Sequence, residues 1–263
     1  MVELGTYEDV QVDRRHDAVA VVTINRPQRL NALAQRTRRE ILAAMRALGG
    51  DDAIGAVVLT GAGGRAFAAG QDLAEAQEFD AGSIEAWIDQ WDELYGGVAG
   101  LGKPVIAAVN GYAVGAGLQL ALVCDLRIAA DHARFGMPEI DDAIPCITGT
   151  WALYEVIGRA RTAELVLTGR MLDAQEALLW GLVNRVVVRE QLIDVAVAQA
   201  MTLAAKPRTA MRLNKQWLHR GLMEDFAATK EFARRAHREA FASGEPQEAM
   251  AKFLAKRREG RAS

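Results

Sequence analysis

Two glycine-rich stretches carry the residues whose types and spacing could do chemistry. One is Arg65-Ala-Phe-Ala-Ala-Gly-Gln-Asp-Leu73 and the other is Val109-Asn-Gly-Tyr-Ala-Val-Gly-Ala-Gly-Leu-Gln-Leu-Ala121. In each, small residues lie between a strand-like run and a helix-like pattern. Small residues let the backbone approach a ligand closely, and helix N-termini present free N–H groups to an oxyanion. Two such donors aimed at one point would form an oxyanion hole. A dinucleotide site is the rival reading. Gly115-Ala-Gly117 would need a third small residue where Leu120 stands. Gly61-Ala-Gly63-Gly-Arg-Ala66 has the spacing, but Phe67-Ala-Ala-Gly70 follows in place of a continuing helix, and no strand about 20 residues on ends in an acid. Taken singly, either stretch reads as a tight turn.

The elements that must position these stretches alternate between strand and helix. Val19–Asn25 reads as a strand ended by Pro27, and Leu33–Leu48 as a helix with Ile41, Leu42, Met45 and Leu48 on one face. Further strands are expected at Ala56–Thr60, Pro104–Val109, Leu126–Ala130 and Val183–Val188. Asp173 and Glu176 form a capping box for a short helix that closes at Gly181. This alternation argues for an α/β fold with parallel packing. After Lys206 the pattern turns to helices alone, expected over 208–220, 224–242 and 246–257. The chain therefore divides into a core, 1–205, that holds the site and a helical region, 206–263. An appendage with apolar faces and no sheet of its own often docks on a neighbouring subunit.

Composition excludes several functions. Hydrophobic residues make up 51% and charged residues 25%, as in globular proteins. The net charge of −3 gives a nucleic-acid partner no support. The basic run from Lys252 to Arg261 reads as a solvated helix end, with a phosphate contact as the other reading. Cys124 and Cys146 are too few for a disulfide framework and lack zinc spacing; Cys124 reads as core. No leader-like segment and no apolar run of membrane-spanning length is evident, so the cytoplasm is the expected compartment. His16, His132, His219 and His237 are scattered without metal spacing, and each is expected at the surface.

The two stretches occur together with INRPQRLNAL (24–33), AVVLTGAGGRAF (56–67), CDLRIAADHARFGMPEI (124–140) and LTGRMLDAQEALLWGLVNRVV (167–187). In order and spacing these blocks resemble the enoyl-CoA hydratase/isomerase (crotonase) family from about Val10 to Arg257. The resemblance implies a spiral of ββα turns with a C-terminal helical region that builds trimers, commonly paired into hexamers. It implies an acyl-CoA substrate, coenzyme A entering as the thioester, and neither metal nor redox cofactor. The oxyanion donors would be the backbone N–H groups of Gln71 and Ala116, whose side chains would tolerate change. Stretches similar to the family's CoA-contacting loops contain Gln28, Arg29 and Leu30, then Ala66, Ala68, Gly70, Asp72 and Leu73, with Gly115 beside the second donor. Arg29 is either a phosphate neighbour or a solvated surface residue.

A hydratase of this family uses two glutamates around a water. Glu139, in Met137-Pro-Glu139, matches one, and the other falls on Gln119. A glutamine amide can position a group but cannot take up a proton at neutral pH. The departure weakens two-carboxylate hydration and leaves double-bond isomerisation by one glutamate intact. Asp141 and Asp142 would either raise the proton affinity of Glu139 or sit on a loop facing water; the second is expected. Cys146 is expected as a packed thiol. Ile84, Trp87, Ile88, Trp91, Leu94 and Tyr95 form a helical stripe, ordinarily core, where the family's pattern would have Trp87 and Trp91 wall the acyl pocket. The leading expectation is an enoyl-CoA hydratase/isomerase with Glu139 as acid/base. A Δ3-Δ2 enoyl-CoA isomerase, a thioester hydrolase and a non-catalytic binding subunit are the alternatives.

Overall fold

Continuous apolar runs, buried on both faces in the central strands, build one large sheet, and short strands build a second. The computed structural model describes residues 6–262 apart from 17, 78 and 81, with side chains described except at 221–224, 253, 254 and 256–262. The large sheet is ordered β1 (Val10–Arg15), β2 (Val19–Ile24), β3 (Ala56–Gly61), β5 (Val105–Val109), β7 (Leu126–Ala130) and β10 (Arg185–Val187). The small one is ordered β4 (Ala66–Ala68), β6 (Tyr112–Val114), β8 (Arg134–Gly136) and β9 (Met171–Asp173). All pairings are parallel except β1 with β2 and β8 with β9.

Each turn of the spiral sends a long strand into the large sheet, a short strand into the small sheet, and then a helix. β3 and β4 lead to α2 (Leu73–Ala76) and α3 (Ile84–Ala99); β5 and β6 lead to α4 (Ala116–Leu122); β7 and β8 lead to a 3-10 turn, Pro138–Asp142, and α5 (Ile147–Thr168). Helix α1 (Gln35–Gly50) follows β2, while α6 (Ala174–Leu179) and α7 (Leu192–Ala204) flank β10. The period-2 alternation of strand side chains feeds two layers. Val19, Val21, Ala56, Val58, Ile106 and Ala108 meet Ala196, Val197 and Ala200 of α7. Their neighbours Val22, Val57, Leu59, Ala107 and Val109 meet Ile41, Met45 and Leu48 of α1 with Leu94 and Val98 of α3. Asp173 caps α6 by accepting from Glu176 N–H at 2.8 Å, one half of the expected capping box, while the Glu176 carboxylate accepts from Arg170 at 2.7 and 3.0 Å.

The helices after Lys206 do not break where the sequence pattern suggests. The segments expected over 208–220 and 224–242 are one helix, α8 (Arg208–Ser243), followed by α9 (Glu245–Ala262). Gly221 does not interrupt it, because a single helical glycine costs only about 1 kcal/mol and packing on either side offsets that. Before it, Lys215 donates to Asp125 at 2.6 Å; after it, Phe226 lies 4.2 Å from the Trp151 ring, centroid to centroid. α8 thus docks on α3 and α5 of its own chain, leaving Leu213, Trp217, Leu218 and Phe232 exposed. The side chains of the basic run after Lys252 lie mostly outside the described residues. Among the described residues no helix is long and apolar enough to cross a membrane.

Candidate active site

The site is assembled where the three ββα turns leave the small sheet. Leu33 pairs in parallel with Gln71, and Leu33 N–H donates to Gly70 O at 2.8 Å. In that register the Leu33 peptide groups bond the residues flanking Gln71, so the Gln71 N–H faces away from this partner. Gly70 has φ +90°, and a Cβ there would stand 2.8 Å from Val114 O and 3.5 Å from Ala116 N. Glycine is therefore required at 70 on two counts, and its absence of a side chain lets the Gly70–Gln71 peptide lie against the start of α4. Ala116 is the first residue of α4, and the first N–H groups of a helix have no intrahelical acceptor.

Glu139 enters from the third turn, on the 3-10 segment that Pro138 starts. Gly115, at φ +54°, leaves room for it: a Cβ there would lie 3.2 Å from Glu139 Oε1. Burial pushes the carboxyl up to about 7, offset in part by hydrogen bonds from its own backbone N–H, from Cys146 and from Gln119, in that order, and reinforced by the charge of Asp142. Its Oε2 is buried without a hydrogen-bond partner among the described residues. A carboxyl with one oxygen tethered, the other free and a proton affinity near neutrality is suited to taking up and returning a proton.

Gln119 lies one turn into α4, 5% exposed. Its Oε1 accepts from Tyr95 Oη at 3.1 Å and from Thr148 Oγ1 at 2.8 Å, while its Nε2 donates to Glu139 Oε1 at 3.3 Å. The structure thus brings Gln119 and Glu139 together and adds two hydroxyls from α3 and α5. The hydroxyls were not legible as site residues: Tyr95 reads as one more member of the α3 stripe, and Thr148 carries no local signal.

The remaining sequence-predicted residues divide. Leu30, at the end of the 3-10 turn Pro27–Arg29, accepts from Ala69 N–H at 3.0 Å, so the two CoA-like loops adjoin; Gln28 and Arg29 are exposed there. Asp72 caps α2 and is held by Arg26 at 3.0 Å, and Leu73 is half-buried. Ala66 and Ala68 are wholly buried, so neither presents a surface to a ligand. Trp87 borders the site, donating from Nε1 to Gln71 Oε1 at 3.0 Å. Trp91 sits a layer behind, stacked on Tyr95 with ring centroids 5.5 Å apart and covered by the Arg38 guanidinium at 4.6 Å. Arg38 also donates to Gln71 Oε1 at 3.0 Å, so the Gln71 side chain is tied from two directions. Sequence reasoning missed Arg38, although a cation on the apolar face of α1 was a signal for it.

Two expectations about polar residues need correction. His16 and His132 are exposed, but His237 is buried, donating to Ala233 O at 2.7 Å against the Trp87 ring, and His219 is half-buried on Asp125 at 2.9 Å. Both lie on α8, which packs inward instead of standing in solvent. Asp141 is exposed as expected, whereas Asp142 is half-buried and does bear on Glu139. Cys146 is buried, and burial raises its thiol well above the usual range. Among the described residues no group of three potential ligands could hold a metal ion.

Sequence and fold comparisons agree on one lineage. The enoyl-CoA hydratase/isomerase family profile matches residues 14–260. A Rhizobium meliloti (strain 1021) protein named probable enoyl-CoA hydratase is 40% identical over 256 residues, spanning 96% of this chain and 97% of that one. The crystal structure of an enoyl-CoA hydratase/isomerase from Mycobacterium paratuberculosis matches with a TM-score of 0.85 at 29% identity, over 93% of this chain and 98% of that chain. That of a monofunctional enoyl CoA isomerase from M. smegmatis matches with a TM-score of 0.69 at 35% identity, over 81% and 93%. The ββα spiral is thus the crotonase fold, and the chain belongs to the enoyl-CoA hydratase/isomerase family of enzymes.

Proposed function

We propose that this enzyme moves the double bond of a 3-enoyl-CoA to the 2-position, with Glu139 as its one proton carrier. The observation that carries this reading is the amide at Gln119, which faces Glu139 as a hydrogen-bond donor where two-carboxylate hydration needs a second acid/base group. The thioester oxygen would sit between the N–H groups of Gln71 and Ala116. Glu139 takes a proton from Cα, and the electron pair delocalises onto that oxygen as a dienolate held by the two donors. The protonated Glu139 then returns the proton to Cγ, leaving the double bond between Cα and Cβ and the carboxylate restored. Burial supports both half-steps, since a carboxyl near neutrality can hold the proton between them. Gln28, Arg29 and Leu30 with Asp72 and Leu73 would hold the CoA moiety, and Trp87 would form one wall of the acyl pocket.

Hydration of a 2-enoyl-CoA is the second reading, favoured by relatives that bear the hydratase name, among them the 40%-identical Rhizobium meliloti protein. Offering wild type a 3-enoyl-CoA, crotonyl-CoA and a saturated acyl-CoA, and following isomerisation, hydration and free thiol separately, decides between them. Isomerisation faster than hydration by at least about tenfold is expected. Hydration as the faster reaction would overturn the proposal in favour of the second reading.

A further inference from the structure

An amide at position 119 can stand in two orientations, and they give Glu139 opposite partners. With NH2 towards Glu139, the amide stabilises the carboxylate; with its oxygen there, it favours the protonated acid. We propose that Tyr95 and Thr148 are positioning residues that hold the Gln119 amide with its NH2 towards Glu139, so that Glu139 meets the substrate as a base. The inference rests on Glu139 being the proton carrier and explains how a site with one carboxylate keeps it competent.

The hydrogen-bond network fixes the orientation. Gln119 Oε1 has two acceptor positions, and Thr148 Oγ1 at 2.8 Å and Tyr95 Oη at 3.1 Å fill both. In the flipped amide Nε2 would face two hydroxyls, which would then have to send their protons elsewhere. The other acceptor found for Tyr95 is Ala116 O at 3.5 Å, at the outer limit of a hydrogen bond. Tyr95 is buried, and burial holds its hydroxyl protonated, so it remains a donor throughout the working pH range. The two hydroxyls reach the amide from different helices, Tyr95 from α3 and Thr148 from α5.

Among the described residues, the groups that act on the buried carboxyl include no cation. It is faced by Asp142 on its own turn, the Cys146 thiol at the start of α5 and the Tyr95 hydroxyl on α3, with Arg38 acting on Tyr95 from behind. Beside the Glu139 N–H and the Cys146 thiol, the Gln119 amide is the donor whose sense can reverse, and losing its orientation should move the titration that activity reads.

The test is the pH dependence of kcat/KM for wild type, Tyr95→Phe, Thr148→Val, the double variant and Thr148→Ser, with binding of a saturated acyl-CoA as the control for fold. In the double variant the acid limb should move up by about one pH unit, the order expected when a charged group loses one hydrogen bond. Activity at pH 6 would then fall about tenfold while activity at pH 9 stays within about twofold. Each single variant should move the limb less, and Thr148→Ser should restore the wild-type position. A double variant that binds the saturated ester normally and keeps the wild-type limb overturns the proposal. If the double variant does not fold, unmoved limbs in both single variants overturn it equally. A fully active Glu139→Gln enzyme would remove the underlying reading, whereas an inactive one with unmoved limbs removes this inference alone.

Discussion

Asp125 and Glu139 are both carboxyls drawn out of water in the same spiral, yet the fold drives them in opposite directions. Burial would raise Asp125, but hydrogen bonds from His219 and Lys215, the Lys215 charge and the Val105 N–H together hold it below the usual range. Glu139 has the same burial pressure without a cation, and it rises to about 7. The first carboxyl ties α8 to the sheet and has no spare oxygen: Oδ2 takes Lys215 at 2.6 Å and Val105 N–H at 2.7 Å, and Oδ1 takes His219 at 2.9 Å. The second keeps Oε2 free. On the reading proposed above, the difference separates a structural carboxylate from a chemical one: full satisfaction keeps the proton off, and incomplete satisfaction lets it come and go.

The largest effect should come from breaking the satisfied partner. Asp125→Ala leaves Lys215 buried and unpaired, and one-sided removal of a buried ion pair typically costs about 3–5 kcal/mol. Urea unfolding at neutral pH should show that loss; a loss below about 1 kcal/mol would mean the cluster is well solvated and the comparison is false. Because the Asp125 pKa is depressed on folding, its stabilisation is present above its unfolded value and is lost as pH falls through the lowered folded value.

A smaller effect of opposite sign is expected at Glu139. Its folded value, about 7, lies above the ordinary 4.5, so the folded state binds the proton more tightly and stability falls as pH rises from about 4.5 to about 7. Glu139→Gln should therefore be more stable than wild type at pH 8 by about 2 kcal/mol, less than the full shift would give because water still reaches part of the residue. That gain should vanish towards pH 4.5 in parallel urea titrations. A destabilised Glu139→Gln protein at pH 8 would count against a strained, functional carboxyl.

The sequence alone makes one of these carboxyls visible as chemistry and hides the other. The long strands are legible as short continuous apolar runs, as in Ala56–Gly61 and Val105–Val109, which are buried along their whole length, and α1 is legible by its helical spacing of apolar residues. The three-residue strands of the small sheet are not, since a run such as Tyr112–Val114 is too short to show a period. Helix α8 is read as two segments, whereas the contacts that carry it through unbroken come from α5, α3 and Asp125, all distant in sequence. Glu139 and Gln119 are identified through their sequence blocks. Tyr95, Thr148 and Arg38, which set the orientation of the two site glutamines, lie 24, 29 and 33 residues from the group each touches. Contacts at such separations leave no trace in local pattern, and for the same reason His219 and His237 pass for surface residues.

The central claim is that Glu139 carries the proton without a second carboxylate. Its most direct test is the turnover of the preferred enoyl-CoA by Glu139→Gln at pH 8, with binding of a saturated acyl-CoA measured alongside. Loss of a positioned acid/base group predicts a fall in kcat of about a thousandfold with binding retained. A Glu139→Gln enzyme that turns over at the wild-type rate would contradict the account.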